Sequence, residues 1–345
     1  MIETTNFPTP AIGSGLTLYS LTNEWLDGRF DLEGIVREVA ARGIGPGIEL
    51  VGYQSLRSYP EVDDATADWW RALTGELGLV PTCLSSNVDT ALRSDRFLNV
   101  DEMTDLLSRQ LRTAKKLGFG IVRIQIGASA EVIRRITPLA EDLGLRVGME
   151  LHCPESPRTE RILRVRDLYA ELGSPVLGFI PDFSATMRDI PPTEKRQWVE
   201  AGLPEQLVDA FVENWRTAPG TMKDRFQSFR TLALRAGASE ESILSTMGAL
   251  SMHGTQPMES WYDIADQIIH IHGKCYEFDA NGHEPSIDYD AVARLLVDID
   301  YKGWVSTEWE GHFFADPGTD AFEMVRAHQR LLGRSLQKRL DARNT

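Results

Sequence analysis

The sequence predicts an α/β chain folded as a (β/α)8 TIM barrel with a helical insertion between strands 6 and 7. Three observations predict it. Short apolar runs alternate with helix-period segments from end to end, the pattern of a parallel sheet built from βα units. Glycine recurs between a helix-like stretch and the next apolar run, at Arg42-Gly43, Leu77-Gly78, Leu117-Gly118, Leu143-Gly144 and Leu172-Gly173, where it suits a left-handed helix cap. Eight strands can be placed, and the last four each end in a metal-binding residue type. The C-terminal strand ends of such a barrel converge on one mouth. A doubly wound open sheet is the rival architecture.

The elements follow in order. Residues 15–20 read as the first strand, followed by a helix over 31–42 with Leu32, Ile35, Val36 and Val39 at helical spacing. The second strand is 47–51 and the second helix 63–77. The third strand is 79–85, with a long helix over 101–117 stopped by Gly118. The fourth strand is 121–126 and the fourth helix 130–143. Strands five and six are 146–152 and 177–182. About 85 residues then separate Asp182 from Ile268, where a crossover usually needs one helix. This stretch holds Pro191-Pro192 and helix-like segments over 205–217, 221–236 and 239–250. It is read as a helical insertion over 186–264 that hangs beside the mouth as a lid, a contact surface or a decoration. Strands seven and eight are 268–274 and 303–308. The whole chain, 1–345, is read as one barrel domain, with a polar, fraying tail over 334–345.

Composition bounds the function. A net charge of −15 disfavours nucleic acid and anionic membrane surfaces as partners. No apolar run is long enough to span a membrane. Residues 1–10 show neither a basic nor an apolar leader segment, so no signal peptide is expected. Three cysteines, Cys83, Cys153 and Cys275, with no Cys-x-x-Cys, suit reduced thiols in a cytoplasmic protein.

The strand ends carry the chemistry. Glu150 sits inside Val-Gly-Met-Glu-Leu, where a carboxylate needs a metal or an Arg. Asp182 follows Gly-Phe-Ile-Pro and is read as a ligand or a helix cap. His270, His272 and Lys274 share one strand face. His272, nearer the mouth, is the ligand, and His270 falls behind it or in the core. Glu308 ends the last apolar run. Glu150, Asp182, His272 and Glu308 thus form a mixed carboxylate–imidazole set for one divalent ion, Mn²⁺, Mg²⁺, Co²⁺ or Zn²⁺. His152 shares the face of Glu150 and is read as the general base. Lys274 either stabilises a developing oxyanion or neutralises carboxylates. The acid that returns the proton is Lys274, Glu308 or water. Tyr53, His270, Glu310 and His312 are candidate substrate contacts. Trp25, Tyr53, Trp261, Tyr276, Trp309 and Phe313 fall near strand ends, where aromatic faces suit a sugar ring or a flat aglycone.

These residues resemble the xylose-isomerase-like superfamily of sugar isomerases and epimerases. His270-Ile-His272-Gly-Lys274 is similar to that family's His-x-His-x-Lys strand, and residues 303–308 to its final metal-binding strand. The resemblance implies that Glu150, Asp182, His272 and Glu308 hold one divalent ion against the oxygens of a sugar. Ketose 3-epimerases often carry a histidine three residues after the ligand Asp, where this chain has Ala185. The three-zinc endonucleases need further histidines where this chain has Tyr53 and Ser85-Ser86.

A closer resemblance is to the large catalytic subunit of bacterial C-glycoside deglycosidases. It rests on chain length, on the Glu150-x-His152 pair and on the enlarged region before strand seven. That resemblance implies Mn²⁺, a small β-sheet partner subunit in a hetero-oligomer, and a lyase acting on 3-oxo-C-glycosides with His152 as base. The alternative is a metal-dependent ketose epimerase, sugar isomerase or cyclitol dehydratase acting on free sugars.

Overall fold

The computed structural model describes residues 7–9, 11–88, 92–125 and 127–343. Most of the N-terminal stretch 1–10, the end of the predicted fourth strand at Ile126 and the last two residues of the predicted tail lie outside them. Eight parallel strands form the sheet: β1 Ile12–Thr17, β2 Gly47–Val51, β3 Val80–Ser85, β4 Ile121–Ile124, β5 Arg146–Leu151, β6 Leu177–Pro181, β7 Ile271–Cys275 and β8 Gly303–Trp309. Their order is β6-β5-β4-β3-β2-β1-β8-β7. Isolated parallel bridges, Phe179 to Ile268 and Asp182 to His272, bring β6 against β7 and close the barrel. The open-sheet alternative is excluded.

Strands β2, β5, β6 and β7 are buried along nearly their whole length, as strands between a barrel core and a ring of helices must be. The helices Asp64–Leu77, Val100–Leu117, Ala130–Leu143 and Glu160–Leu172 each end on a left-handed glycine: Gly78, Gly118, Gly144 and Gly173. The Leu-Gly punctuation of the sequence is therefore helix capping. At the bottom of the barrel Trp304 lies against β1 and β2. A Cβ on Gly13 would stand 2.3 Å from its ring and one on Gly47 2.7 Å, so both strands need glycine there.

Three expectations shift. The first strand begins three residues earlier than read and ends at Thr17. The Thr17 side chain accepts from Tyr19 N (3.3 Å) and turns Leu18–Leu21 into a 3-10 helix, which puts Tyr19 beyond the strand end. The ladder of β7 starts at Ile271 rather than 268; Ile269 still donates to Phe179 O (3.0 Å). The stretch read as a fraying tail continues the helix Ala321–Arg343, whose inner face buries Leu331, Leu332 and Leu336. Polar composition there marks the outer face of a packed helix.

Between β6 and β7 the chain forms the helices Pro192–Glu200, Glu205–Thr217, Met222–Arg235, Glu240–Leu244 and Ala249–Met252, then a 3-10 stretch, Met258–Gln267. Trp198, Phe211 and Phe229 pack edge to face, with centroids 4.9 and 5.0 Å apart, in a core continuous with that of the barrel. The return leg is tied to the end of β6: Gly254 donates to Ser184 O (2.6 Å) and Met187 to Gly254 O (2.7 Å). This excursion stands at the C-terminal, active-site end of the strands.

Candidate metal centre

Along β8 the inward positions alternate as the pleat requires: Ser306 and Glu308, then Glu310 just past the strand. On β7, His272 and Lys274 do the same. Glu150 projects from β5, and Asp182 follows β6. One ligand atom from each of Glu150, Asp182, His272 and Glu308 lies within 4.8 Å of the other three. His272 Nδ1 is 2.7 Å from both Glu150 Oε1 and Glu308 Oε2.

The residues fit a divalent ion. His272 Nδ1, Asp182 Oδ2 and Glu308 Oε2 are buried and make no hydrogen bond. A single ring nitrogen cannot donate one proton to two carboxylates at once. Lys274 Nζ lies 3.0 Å from Asp182 Oδ2 as an ion pair without hydrogen-bond geometry. Leaving such atoms unsatisfied is costly, and a cation among them would satisfy all of them. The charges agree. Glu49, Glu150, Asp182, Glu308 and Glu310 are all buried, against Arg123 and Lys274 as the only buried permanent cations among the described residues.

Glu49, inside the apolar run of β2, is a residue that sequence reasoning missed. It is 0% exposed. Its Oε1 accepts from His272 Nε2 (3.1 Å) and its Oε2 from His270 Nε2 (3.0 Å). Holding the proton on Nε2 leaves His272 Nδ1 as the free lone pair toward the cluster. Ser85 also donates to Glu49 Oε1, and Arg123 Nε donates to Ser85 Oγ (3.1 Å). Burial raises the Glu49 carboxyl, but His272 and His270 outweigh it and hold it well below the usual range. The available signal was a glutamate in a strand otherwise built of Gly, Ile, Leu and Val.

His270 is fully buried and bonded to Glu49 and to Ser306 Oγ (2.9 Å). It lies two residues before His272 on the same strand face, one layer deeper in the barrel. Tyr53, on the short helix Gly52–Ser55, is 57% exposed and makes no polar contact with the cluster among the described residues. Of the aromatics read at the mouth, Trp261, Tyr276 and Trp309 are buried and Phe313 is exposed.

Glu310 is buried and links several groups. Its Oε2 accepts from Lys274 Nζ (2.9 Å), its Oε1 from Tyr19 OH (3.3 Å), and His152 Nε2 stands 3.9 Å away. Tyr19 was missed because the first strand was placed too far along. His312 is half-buried, with its ring against Tyr19 (5.1 Å) and Trp309 (6.1 Å). Lys274 is 0% exposed and also 3.3 Å from Glu308 Oε1, so one positive charge is shared among three carboxylates. Burial raises the Glu308 and Glu310 carboxyls, but Lys274 outweighs it and brings both to about 2. Burial likewise raises Glu150, and Arg123, 3.6 Å away, outweighs it and lowers it. For Asp182 burial wins over Lys274, and its carboxyl is raised. The three cysteines are free and buried.

The chain matches the model of the xylose isomerase-like TIM barrel family over residues 36–331. It is 42% identical over 330 residues to a C-glycoside deglycosidase alpha subunit of Arthrobacter globiformis, covering 95% of this chain and 93% of that one. It is 37% identical over 328 residues to a 3'-dehydrocarminate deglycosidase alpha subunit of a Microbacterium species, covering 93% and 94%. A sugar phosphate isomerase/epimerase from Parabacteroides distasonis superposes with a TM-score of 0.55 at 14% identity, over 94% of this chain and 95% of that one, a likeness of fold alone. The chain belongs to the xylose isomerase-like TIM barrel family and, within it, to the family of C-glycoside deglycosidase alpha subunits.

Proposed function

We propose that this chain is the catalytic subunit of a divalent-metal-dependent lyase that cleaves the carbon–carbon bond between sugar and aglycone in 3-oxo-C-glycosides. The observation that carries the reading is the buried cluster of Glu150, Asp182, His272 and Glu308, with three orphaned polar atoms turned on one another, in a chain 42% identical to a deglycosidase subunit. Mn²⁺ is the ion proposed, with Mg²⁺, Co²⁺ and Zn²⁺ as alternatives of similar donor preference. The alpha-subunit names of the relatives support a second subunit in the working enzyme.

When bound, the ion supplies Lewis acidity for the charge that develops on a substrate oxygen, and a positive charge that offsets the field of Asp182 on His152. His152 is the base. Its Nδ1 donates to Cys153 O (2.8 Å), which leaves the lone pair on Nε2, and its side chain is 27% exposed, open to the mouth. It takes the proton from the carbon beside the 3-keto group. The electron pair left behind expels the aglycone, which leaves with the electrons of the broken bond and takes up a proton. Glu310 and Tyr19 line the same side and are placed to hold sugar hydroxyls. Lys274, paired with three carboxylates, keeps the ligand layer charged and in place. In the metal-free chain burial opposes a charge on His152, but Asp182 and Glu310 outweigh it and raise it to about 9.

The test is His152→Ala. It should abolish aglycone release from a 3-oxo-C-glucoside while metal content per chain stays that of the parent. Loss of the metal together with the activity would make His152 a ligand and overturn the assignment.

A further inference from the structure

Each of the three carboxylates in the metal cluster has one oxygen engaged by the protein and the other turned toward the cluster. Glu308 Oε1 faces Lys274 Nζ (3.3 Å), and its Oε2 faces His272 Nδ1 (2.7 Å). Asp182 Oδ1 accepts from Ser184 N (2.8 Å), and its Oδ2, beside Lys274, makes no hydrogen bond. Glu150 Oε1 stands 2.7 Å from His272 Nδ1, and its Oε2 lies 3.6 Å from Arg123 Nη1. Lys274 therefore holds one flank of the cluster and Arg123 the other.

Arg123 is buried on β4, a strand that supplies none of the four candidate ligands. Its charge opposes a cation in the cluster. Its geometry offers the compensation. The guanidinium is fixed at two further points: Nε donates to Ser85 Oγ (3.1 Å) and Nη1 to Asn87 Oδ1 (3.3 Å). A planar fork held at both places cannot swing aside to release a carboxylate, as a lysine ammonium on its flexible stem can. The Ser85 hydroxyl also donates to Glu49, the residue that orients His272. One guanidinium is thus tied directly to one ligand, Glu150, and through Ser85 and Glu49 to a second, His272.

We infer that Arg123 is a positioning residue that withholds Glu150 Oε2 from the bound ion, so that the site takes one oxygen from this carboxylate and its preference is turned away from Ca²⁺ toward a smaller divalent ion. Ion size supplies the physical basis. Ca²⁺ gathers about six to eight oxygens in flexible geometry and accepts both oxygens of one carboxylate, whereas Mg²⁺ demands a near-ideal octahedron. Released from Arg123, Glu150 is able to turn both oxygens inward, a change that favours the larger ion. The inference rests on the metal reading of the cluster and is independent of the lyase step.

The experiment is calorimetric titration of the metal-free full-length chain with Mg²⁺ and, separately, with Ca²⁺, read as the ratio of the two dissociation constants. Both ions carry the same charge, so the ratio is insensitive to the general electrostatic effect of deleting a cation. Arg123→Met should shift the ratio toward Ca²⁺ by about 10-fold, the lower end of what the partners of ligating groups contribute. Ser85→Ala keeps every charge and removes the anchor on Arg123 Nε. It should shift the ratio the same way by about 3-fold, the size of one hydrogen bond. Ser85→Ala decides the question by itself where Arg123→Met does not fold. A parent that binds both ions, with the same ratio in every folded variant, would overturn the role of Arg123 and leave the metal reading intact. A parent that binds neither ion would overturn both.

Discussion

Glu49 decides which nitrogen of His272 faces the carboxylates. It is ionised, fully buried, and accepts the Nε2 protons of both His272 and His270. Partners of this kind typically change metal affinity by about 10- to 100-fold when removed. Glu49→Gln should therefore weaken Mn²⁺ binding by that order in a calorimetric titration; unchanged affinity would show that the His272 ring is oriented by packing alone. Lys274 carries the complementary weight. Lys274→Met leaves Asp182, Glu308 and Glu310 facing one another in a dry site, and breaking a buried pair in this way costs about 3–5 kcal/mol. Urea unfolding of the metal-free variant should show a loss of that size, and a loss of a few tenths would mean that water already screens the cluster. The clustering of Glu150, Asp182, His272 and Glu308 was legible at this scale because a carboxylate or imidazole at the end of an apolar run has few bland explanations. Glu49 had the same signature, yet it sits mid-strand on β2, far in sequence from the residues it serves. Tyr19 reaches Glu310 only because Thr17 bends the chain out of β1, a local hydrogen bond that periodicity does not register.

Among elements, the excursion between β6 and β7 contributes none of the four candidate ligands, which lie on or just beyond barrel strands. Phe211 is 0% exposed and packs on both Trp198 and Phe229. Phe211→Ala should destabilise by about 3–5 kcal/mol, as large-to-small core changes do. Metal stoichiometry should stay that of the parent; loss of the ion would show that the excursion holds the ligand layer in place. The turn between β7 and the helix Tyr289–Asp298 offers a pH test. Burial pushes the Glu284 carboxyl up to about 8. Its folded value lies above its unfolded one, so its contribution to stability is full below the ordinary carboxylate range and declines as pH rises through about 8. Glu284→Gln should flatten the fall in unfolding free energy between about pH 5 and about pH 8. An equal fall in parent and variant would place the titration elsewhere. Helices were the most legible elements, since their caps are sequence signals: Asp31, Asp63 and Asn99 each accept from a backbone amide of the first turn. Strand ends drifted by up to three residues, because apolar runs continue into the loops that flank them.

At the scale of the whole molecule, a barrel of eight short βα units places residues from positions 49 to 310 around one point, and the mouth they form is strongly acidic. A bound cation would offset that charge. Mn²⁺ at about one hundred times its dissociation constant should stabilise the chain by about 2.7 kcal/mol. Thermal unfolding should show the gain, and its reversal with a chelator. The fold was readable from repetition alone. The cavity between excursion and barrel was not, because its wall is assembled from residues more than a hundred positions apart, such as Trp198 and Phe314. The most direct test of the account follows a 3-oxo-C-glucoside of an aromatic aglycone by NMR in heavy water, with the chain, Mn²⁺ and the proposed partner subunit. Release of free aglycone that stops on adding a chelator is the predicted result. Exchange of deuterium beside the ketone with no release, or release that persists in the chelator, would contradict it.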